Sequence, residues 1–205
     1  MAVKGQRNKD TLYSCHMNTR LIVVVVVIVL LLGGGGYGMS TYNSLIKTRE
    51  ASTAQWAQVE SQYQRRFDLI PNLVEAVKGA MKQEQAVFSE IADARTRYAG
   101  AKGQGIAAES AAATQLDSAV SRLLVVMEQY PQLRSIDTVT TLMSQLEGTE
   151  NRIAVERMRF NESVQSYNVA LQVFPSSLVG RLGGFQPIAY TQAPVEAQTS
   201  PKVSL

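Results

Sequence analysis

Two segments of the chain hold charged and amide side chains at a density that could support chemistry. The first runs from Arg65 to Val74, and the second runs from Leu146 to Ile153 and continues to Glu162. Such carboxylates could be paired for acid–base catalysis, or they could form ion pairs between neighbouring helices that set the helix register. The interspersed arginines favour ion pairs. The candidate residues of this polar network are Arg65, Arg66, Asp68, Asn72, Glu147, Glu150, Asn151, Arg152 and Arg157.

Other features of the sequence argue against catalysis. His16 is the only histidine, so the main domain has neither a histidine base nor a histidine metal site. Cys15, His16 and Met17 are soft ligands, but three adjacent residues in a short polar tail are poor geometry for a metal. No nucleophile with an adjacent base and no Glu-x-x-His spacing is evident. We therefore predict no enzyme activity, no cofactor and no metal site.

The longest uncharged apolar run covers residues 21–39 and predicts a membrane span. It combines a Leu/Ile/Val stretch with the glycine-rich segment 33–38. At about 1.5 Å per helical residue, a run of this length crosses the roughly 30 Å hydrocarbon core of a bilayer. Small residues on a membrane helix let a second helix approach closely. Gly33, Gly34 and Gly36 are therefore the predicted packing positions between spans of a homo-oligomer; the alternative is that the glycines are merely tolerated where the helix meets the membrane interface.

Two alternatives compete with a retained span. Gly33, Gly35 and Gly38 fit G-x-G-x-x-G after a Val/Ile run, as in a dinucleotide-binding βαβ unit, but no second Val/Ile-rich strand follows. A cleaved signal peptide would also have a basic start and an apolar core. The core is long for a signal peptide, no A-x-A-like site follows it, and Cys15 lies on the wrong side for lipidation. These observations together favour a retained membrane anchor.

The charge distribution orients the span. Lys4, Arg7, Lys9 and Arg20 precede it against Asp10 alone, while sixteen basic and sixteen acidic residues follow it. Because excess Lys and Arg stay on the cytoplasmic side, we expect residues 1–20 inside and the main domain in the periplasm. The net charge of +3 reports this tail rather than a basic face, so no nucleic-acid partner is expected.

The remaining chain has helical periodicity. A 3-4 seam runs from Tyr42 to Ile91, interrupted by Pro71, and predicts one helical stretch that ends near Tyr98. Because the seam keeps its phase, we expect a kink at Pro71, with Asp68 able to cap a restarting helix. Further helices are predicted from Ala107 to Tyr130 and from Ile136 to Phe174, with polar interruptions in the last seam near Thr149 and Arg157.

The predicted fold class is all-α. An N-terminal transmembrane helix continues into an elongated antiparallel helical bundle. The predicted divisions are a cytoplasmic tail (1–20), a transmembrane helix (21–41), a helical bundle (42–187) and a flexible C-terminal tail (188–205).

Several motifs in the bundle resemble those of the LemA family of bacterial membrane proteins. The resemblance covers about residues 40–187 and is strongest in Arg-Arg-x-Asp-Leu-Ile-Pro-Asn-Leu-Val at 65–74. Phe67 and Phe160 depart from the usual alanine and tyrosine, and the lead-in 136–141 is lengthened. Later motifs follow in order at Tyr130-Pro131, Glu147–Ile153, Phe160-Asn161, Tyr167-Asn168, Phe174-Pro175 and Phe185.

The resemblance implies a short cytoplasmic N-terminus, one membrane helix, an extracytoplasmic bundle and no established catalytic activity. Two functions remain open at this point. The first is a membrane-anchored scaffold that self-associates and shapes the bacterial inner membrane, or an organelle membrane such as that of the magnetosome, which family relatives help to form. The second is an adaptor or regulator of a membrane protease or envelope stress pathway, since family members are often linked to membrane stress proteases. The lipid bilayer is a partner in both.

Overall fold

The protein is all-α in the part of the chain that the computed structural model describes, residues 19–191. Five α-helices follow one another: α1 Thr19–Lys78, α2 Gln85–Ala101, α3 Ile106–Met127, α4 Asp137–Gln172 and α5 Ser176–Leu182. A 3₁₀ turn at Pro131–Ser135 joins α3 to α4. The all-α prediction is confirmed. The N-terminal residues that include Cys15, His16 and Met17, and the predicted tail from residue 192, lie outside the described residues.

The chain divides into two compact units, Met1–Thr41 and Tyr42–Leu205. Within the described part of the first unit, the helix is long and apolar enough to cross a membrane, and its most apolar stretch is not buried at all. A methyl group added at Gly33, Gly34 or Gly36 would find no neighbouring atom within 4 Å. The described residues therefore contain one candidate membrane span, near the N-terminus, with an open glycine surface.

Helix α1 continues through Pro71 to Lys78, so a helix that restarts at Asp68 is wrong. The Asp68 carboxylate accepts a hydrogen bond from Gln64 (2.8 Å) and caps no helix. The kink at Pro71 stays a prediction. The larger correction concerns the expected continuous stretch to Tyr98: α1 ends at Lys78, and the chain turns over residues 79–84 around the fully buried Met81.

Helix α2 runs back along α1. Tyr98 packs edge-on against Tyr63 with ring centroids 6.2 Å apart, and it also contacts Phe67 at 5.6 Å. Two antiparallel helices that face one core repeat apolar residues at the same spacing as one long helix. The seam pattern therefore could not distinguish a hairpin from a single helix.

Helices α3 and α4 complete an up-down-up-down arrangement within the second unit. Contacts of α1 with α4 move in opposite directions along the two helices, from Arg66–Glu150 to Trp56–Phe160, whose rings lie 5.2 Å apart. The predicted seam of α4 is buried at most positions, including the polar residues Thr149 and Arg157. Phe174 is the exception, because α4 ends at Gln172 and leaves the ring exposed.

The segment after α5 lies along α4, held by two asparagines one heptad apart. The Asn168 amide donates to the carbonyl of Ile188 (2.8 Å) and accepts from its N–H (3.0 Å). Asn161 makes the same pair of bonds with Thr191, at 3.0 Å each. Contacts of the helical domain therefore extend to Thr191, past the boundary predicted at residue 187.

Candidate functional site

The centre of the second unit is an ion-pair network that joins three helices. Arg66 on α1 is 6 % exposed, and its Nε lies 3.1 Å from Oδ1 of Asp117 on α3. Its Nη1 donates to Oε2 of Glu150 on α4. One guanidinium thus forms ion pairs with carboxylates from two other helices, an arrangement that a rigid planar guanidinium suits. Arg66 belongs to the first polar segment and Glu150 to the second.

Arg157 lies close to the same network. It is 8 % exposed and stands seven residues after Glu150, on the same face of α4. Burial raises the pKa of the nearby Tyr63 hydroxyl, whereas the positive charges of Arg157 and Arg66 lower it. Asp117 raises the same pKa, and a hydrogen bond with Ser110 lowers it. Tyr63 therefore lies within electrostatic range of Arg66, Asp117 and Arg157.

The remaining predicted members of the network are not brought into it. Their side chains lie on the solvent-exposed surface of α1 and α4, where charged groups stay hydrated and contribute little to stability. Two grooves border Glu150, of about 440 and 620 Å³, and neither is lined by Arg65 or Asp68. An acid–base site built from these two residues with Glu150 is therefore not formed. The exposed members are Arg65, Asp68, Asn72, Glu147, Asn151 and Arg152.

A second buried polar cluster was missed in the sequence. Glu109 on α3 is only 1 % exposed and lies beside Glu60 of α1. Burial, then the charge of Glu60 and a hydrogen bond with it, raise the pKa of Glu109 to about 7; Lys102 and the Gly103 backbone oppose this. The Trp56 indole N–H donates to Glu60 (2.9 Å), which fixes the partner carboxylate.

Tyr98 lies beside the carboxylates of this second cluster. Burial is the main cause of its raised pKa, followed by the nearby charge of Glu109. A signal for the cluster did exist in the sequence: Glu109 stands seven residues before Leu116, in phase with the apolar seam of α3. An acid at a seam position faces the core, where it needs a partner or a proton.

These two clusters suit structural roles better than catalysis. Their carboxylates are engaged by arginine, tryptophan or another carboxyl group, and the aromatic hydroxyls have raised pKa values that keep them protonated. Over the described residues, no three His, Cys, Asp or Glu side chains come together as a metal-binding group. The larger groove is walled by Leu124, Met143 and Leu146, with Arg66 and Glu150 at its edge.

Comparison with known proteins finds relatives that are named as magnetosome proteins. It is 28 % identical over 173 residues to Magnetosome protein MamQ of Magnetospirillum gryphiswaldense, covering 73 % of this chain and 64 % of the relative. It is 29 % identical over 175 residues to Magnetosome protein MamQ 2 of Paramagnetospirillum magneticum, covering 74 % and 64 %. The chain thus spans a little under two thirds of the length of these relatives.

The family model named LemA family matches residues 55–205, which is most of the chain. This match includes the turn at 79–84, both polar clusters and the asparagine pair on α4. It covers the segment in which the resemblance is strongest, at residues 65–74. The chain belongs to the LemA family.

Proposed function

We propose that the protein is a non-catalytic scaffold anchored in the bacterial inner membrane, which self-associates and organises or shapes that membrane. The observation that carries the proposal is the candidate span, whose most apolar stretch is wholly exposed and includes the open surface at Gly33, Gly34 and Gly36. A glycine surface of this kind suits close contact between membrane helices. The internal pairing of the buried charges supports a structural rather than a catalytic domain.

The proposed topology follows from charge and from the relatives. The Lys/Arg excess before the span supports a cytoplasmic N-terminus and a periplasmic main domain. Two relatives carry the name magnetosome protein. An organelle membrane of that kind is therefore included in the proposal as a site of action.

The test is the particle mass of the full-length protein, extracted gently in detergent, by light scattering with native mass spectrometry. We expect a homogeneous self-assembly that the triple variant Gly33→Leu/Gly34→Leu/Gly36→Leu reduces in size. Gly35→Leu is the matched control, because at about 100° per residue Gly35 points roughly opposite to the mean direction of the other three glycines. A wild-type monomer would contradict self-association. Equal loss in the Gly35 control would contradict the proposed face, and a particle that carries another membrane protein would favour the adaptor function.

A further inference from the structure

The end of the second unit near Tyr42 carries a concentration of exposed apolar side chains. Among the described large hydrophobic residues, Leu182 (83 % exposed) and Phe174 (80 %) are the most exposed, ahead of every residue of the candidate span. They belong to a surface that we call the α5 patch. Its residues are Val169, Val173, Phe174, Leu178 and Leu182.

Helix α5, which contributes Leu178 and Leu182 to the patch, packs against the first residues of the second unit. A Cβ at Gly180 would lie 2.8 Å from the Leu171 side chain and 3.8 Å from that of Leu45. Gly183 is similarly close to Tyr42, whose ring packs edge-on against Phe185 at 5.3 Å. Both glycines allow α5 to approach its neighbours closely. The short helix is therefore fixed beside Tyr42 and Leu45.

Chain connectivity limits how far this end can lie from the candidate span. Tyr42 follows Met39, the last residue of the apolar run, by three residues. Three residues reach at most about 11 Å even when fully extended. Gly183 and Phe185 directly follow α5 and lie against Tyr42, so the chain holds α5 close to the bilayer surface wherever the span is inserted.

The charges around the patch suit a phospholipid surface. Lys47, Arg49 and Arg181 stand on the segments that form this end, against Glu50 alone. Cationic side chains beside exposed apolar ones are the composition with which short helices bind the headgroup layer. The α2–α3 hairpin does not extend to this end, since its connection lies beside Gln64, which accepts a hydrogen bond from Lys102 at 2.8 Å.

We infer that the α5 patch is a second membrane contact, which inserts its apolar side chains into the headgroup and upper acyl region of the bilayer that holds the span. This inference rests on the proposed membrane anchorage. It gives the domain two points of attachment, the span and α5. Two attachments restrict the tilt of the domain against the bilayer, which a scaffold that shapes a membrane requires.

The test uses the full chain with Cys15→Ser, so that one introduced cysteine carries an environment-sensitive fluorophore. Labels are placed at Leu182→Cys in the patch, at Val125→Cys as the matched control, and at Val29→Cys in the span. Val125 is also apolar and exposed (63 %), but it lies near the C-terminal end of α3, away from Tyr42. At that end Tyr130 donates a hydrogen bond to Glu84, which follows the C-terminal end of α1. The protein is reconstituted in phosphatidylethanolamine–phosphatidylglycerol vesicles with lipids spin-labelled near the carbonyl end of the acyl chain.

We expect quenching at residue 182 to be several-fold stronger than at residue 125, with residue 29 protected from aqueous quenchers. Equal, weak lipid quenching at 182 and 125 with residue 29 still protected would overturn the α5 contact and leave the anchor intact. Exposure of residue 29 to water would overturn the anchor and the contact together. A signal at 182 that lipids do not quench and that dilution with excess lipid removes would assign the patch to a second copy, which also overturns the inference.

Discussion

At the scale of single residues, substitution of the buried charged residues of the second unit is expected to change the free energy of unfolding most. Arg66 forms ion pairs with Asp117 and Glu150, and removal of the guanidinium takes the arginine charge away from the buried Asp117 carboxylate. An uncompensated buried charge costs far more than a lost surface pair. Arg65, the next residue, is exposed and outside the network. The adjacent arginines therefore form a natural pair for comparison.

We predict that Arg66→Met lowers the free energy of unfolding by about 3 kcal/mol, as loss of one partner from a buried ion pair does. Arg65→Met is expected to change it by no more than about 0.5 kcal/mol, as surface substitutions do. Denaturant unfolding of the detergent-solubilised protein, followed by circular dichroism, measures both. Similar losses in the two variants would mean that Arg66 is not the centre of the network.

Glu109 predicts a pH dependence of stability. Its pKa rises from 4.5 in the unfolded chain to about 7 in the fold, so the folded protein keeps a proton that the unfolded chain releases. The unfolded state then binds fewer protons, and the free energy of unfolding falls as the pH rises from about 4.5 to about 7. Glu109→Gln should flatten this part of the profile, and the exposed Glu147→Gln should not. A Glu109→Gln profile that is parallel to wild type would contradict the raised pKa of Glu109.

At the scale of helices, burial of the seams carries the fold. Leu73 is fully buried on α1, whereas Leu146 on α4 also borders the 620 Å³ groove. We predict that either change to alanine costs about 2–5 kcal/mol, with Leu146 nearer the lower end because the groove already interrupts its packing. Melting temperature measures the loss, with the exposed Val125→Ala as control. Wild-type melting of Leu73→Ala would mean that the opposite face of α1 is buried.

The asparagine pair on α4 predicts a local rather than a global effect. Asn168→Ala removes two hydrogen bonds to Ile188, worth about 1–3 kcal/mol together. Amide exchange of the segment 186–191 should accelerate, while that of the α1–α4 core stays as in wild type. Gln165→Ala, a change at an exposed residue of the same helix, is the control. Unchanged exchange at Ile188 would show that other contacts hold the segment.

At the scale of the whole molecule, one chain combines a candidate span with a helical domain in which α5 packs beside the domain's first residues, Tyr42 and Leu45. The span contributes an exposed apolar surface, and the domain contributes internal ion pairs that join three helices. Self-association, membrane contact through α5 and any protein partner are separate properties of this arrangement. Particle mass and lipid quenching report on different parts of the chain, so each property can fail without the others.

The sequence by itself was sufficient to predict the helical class, the candidate span and the family. Each of these depends on local patterns: an uncharged run of membrane length, a 3-4 apolar spacing and a contiguous motif at residues 65–74. The bounds of α3 and α4 were predicted within a few residues, because Pro131 and Pro175 mark their ends.

Only the tertiary structure decided where the chain reverses and which polar residues meet. One seam periodicity serves a long helix and a hairpin equally well, so the turn at 79–84 depended on packing around Met81. Of the nine predicted network residues, Arg66 and Glu150 form an ion pair and the buried Arg157 lies near it, whereas the other six are exposed. Asp117 joins this network and Glu109 pairs with Glu60 in the second cluster; both acids lie on α3, outside the two polar segments. Contacts between residues far apart in sequence leave no local pattern, and the fold alone brings them together.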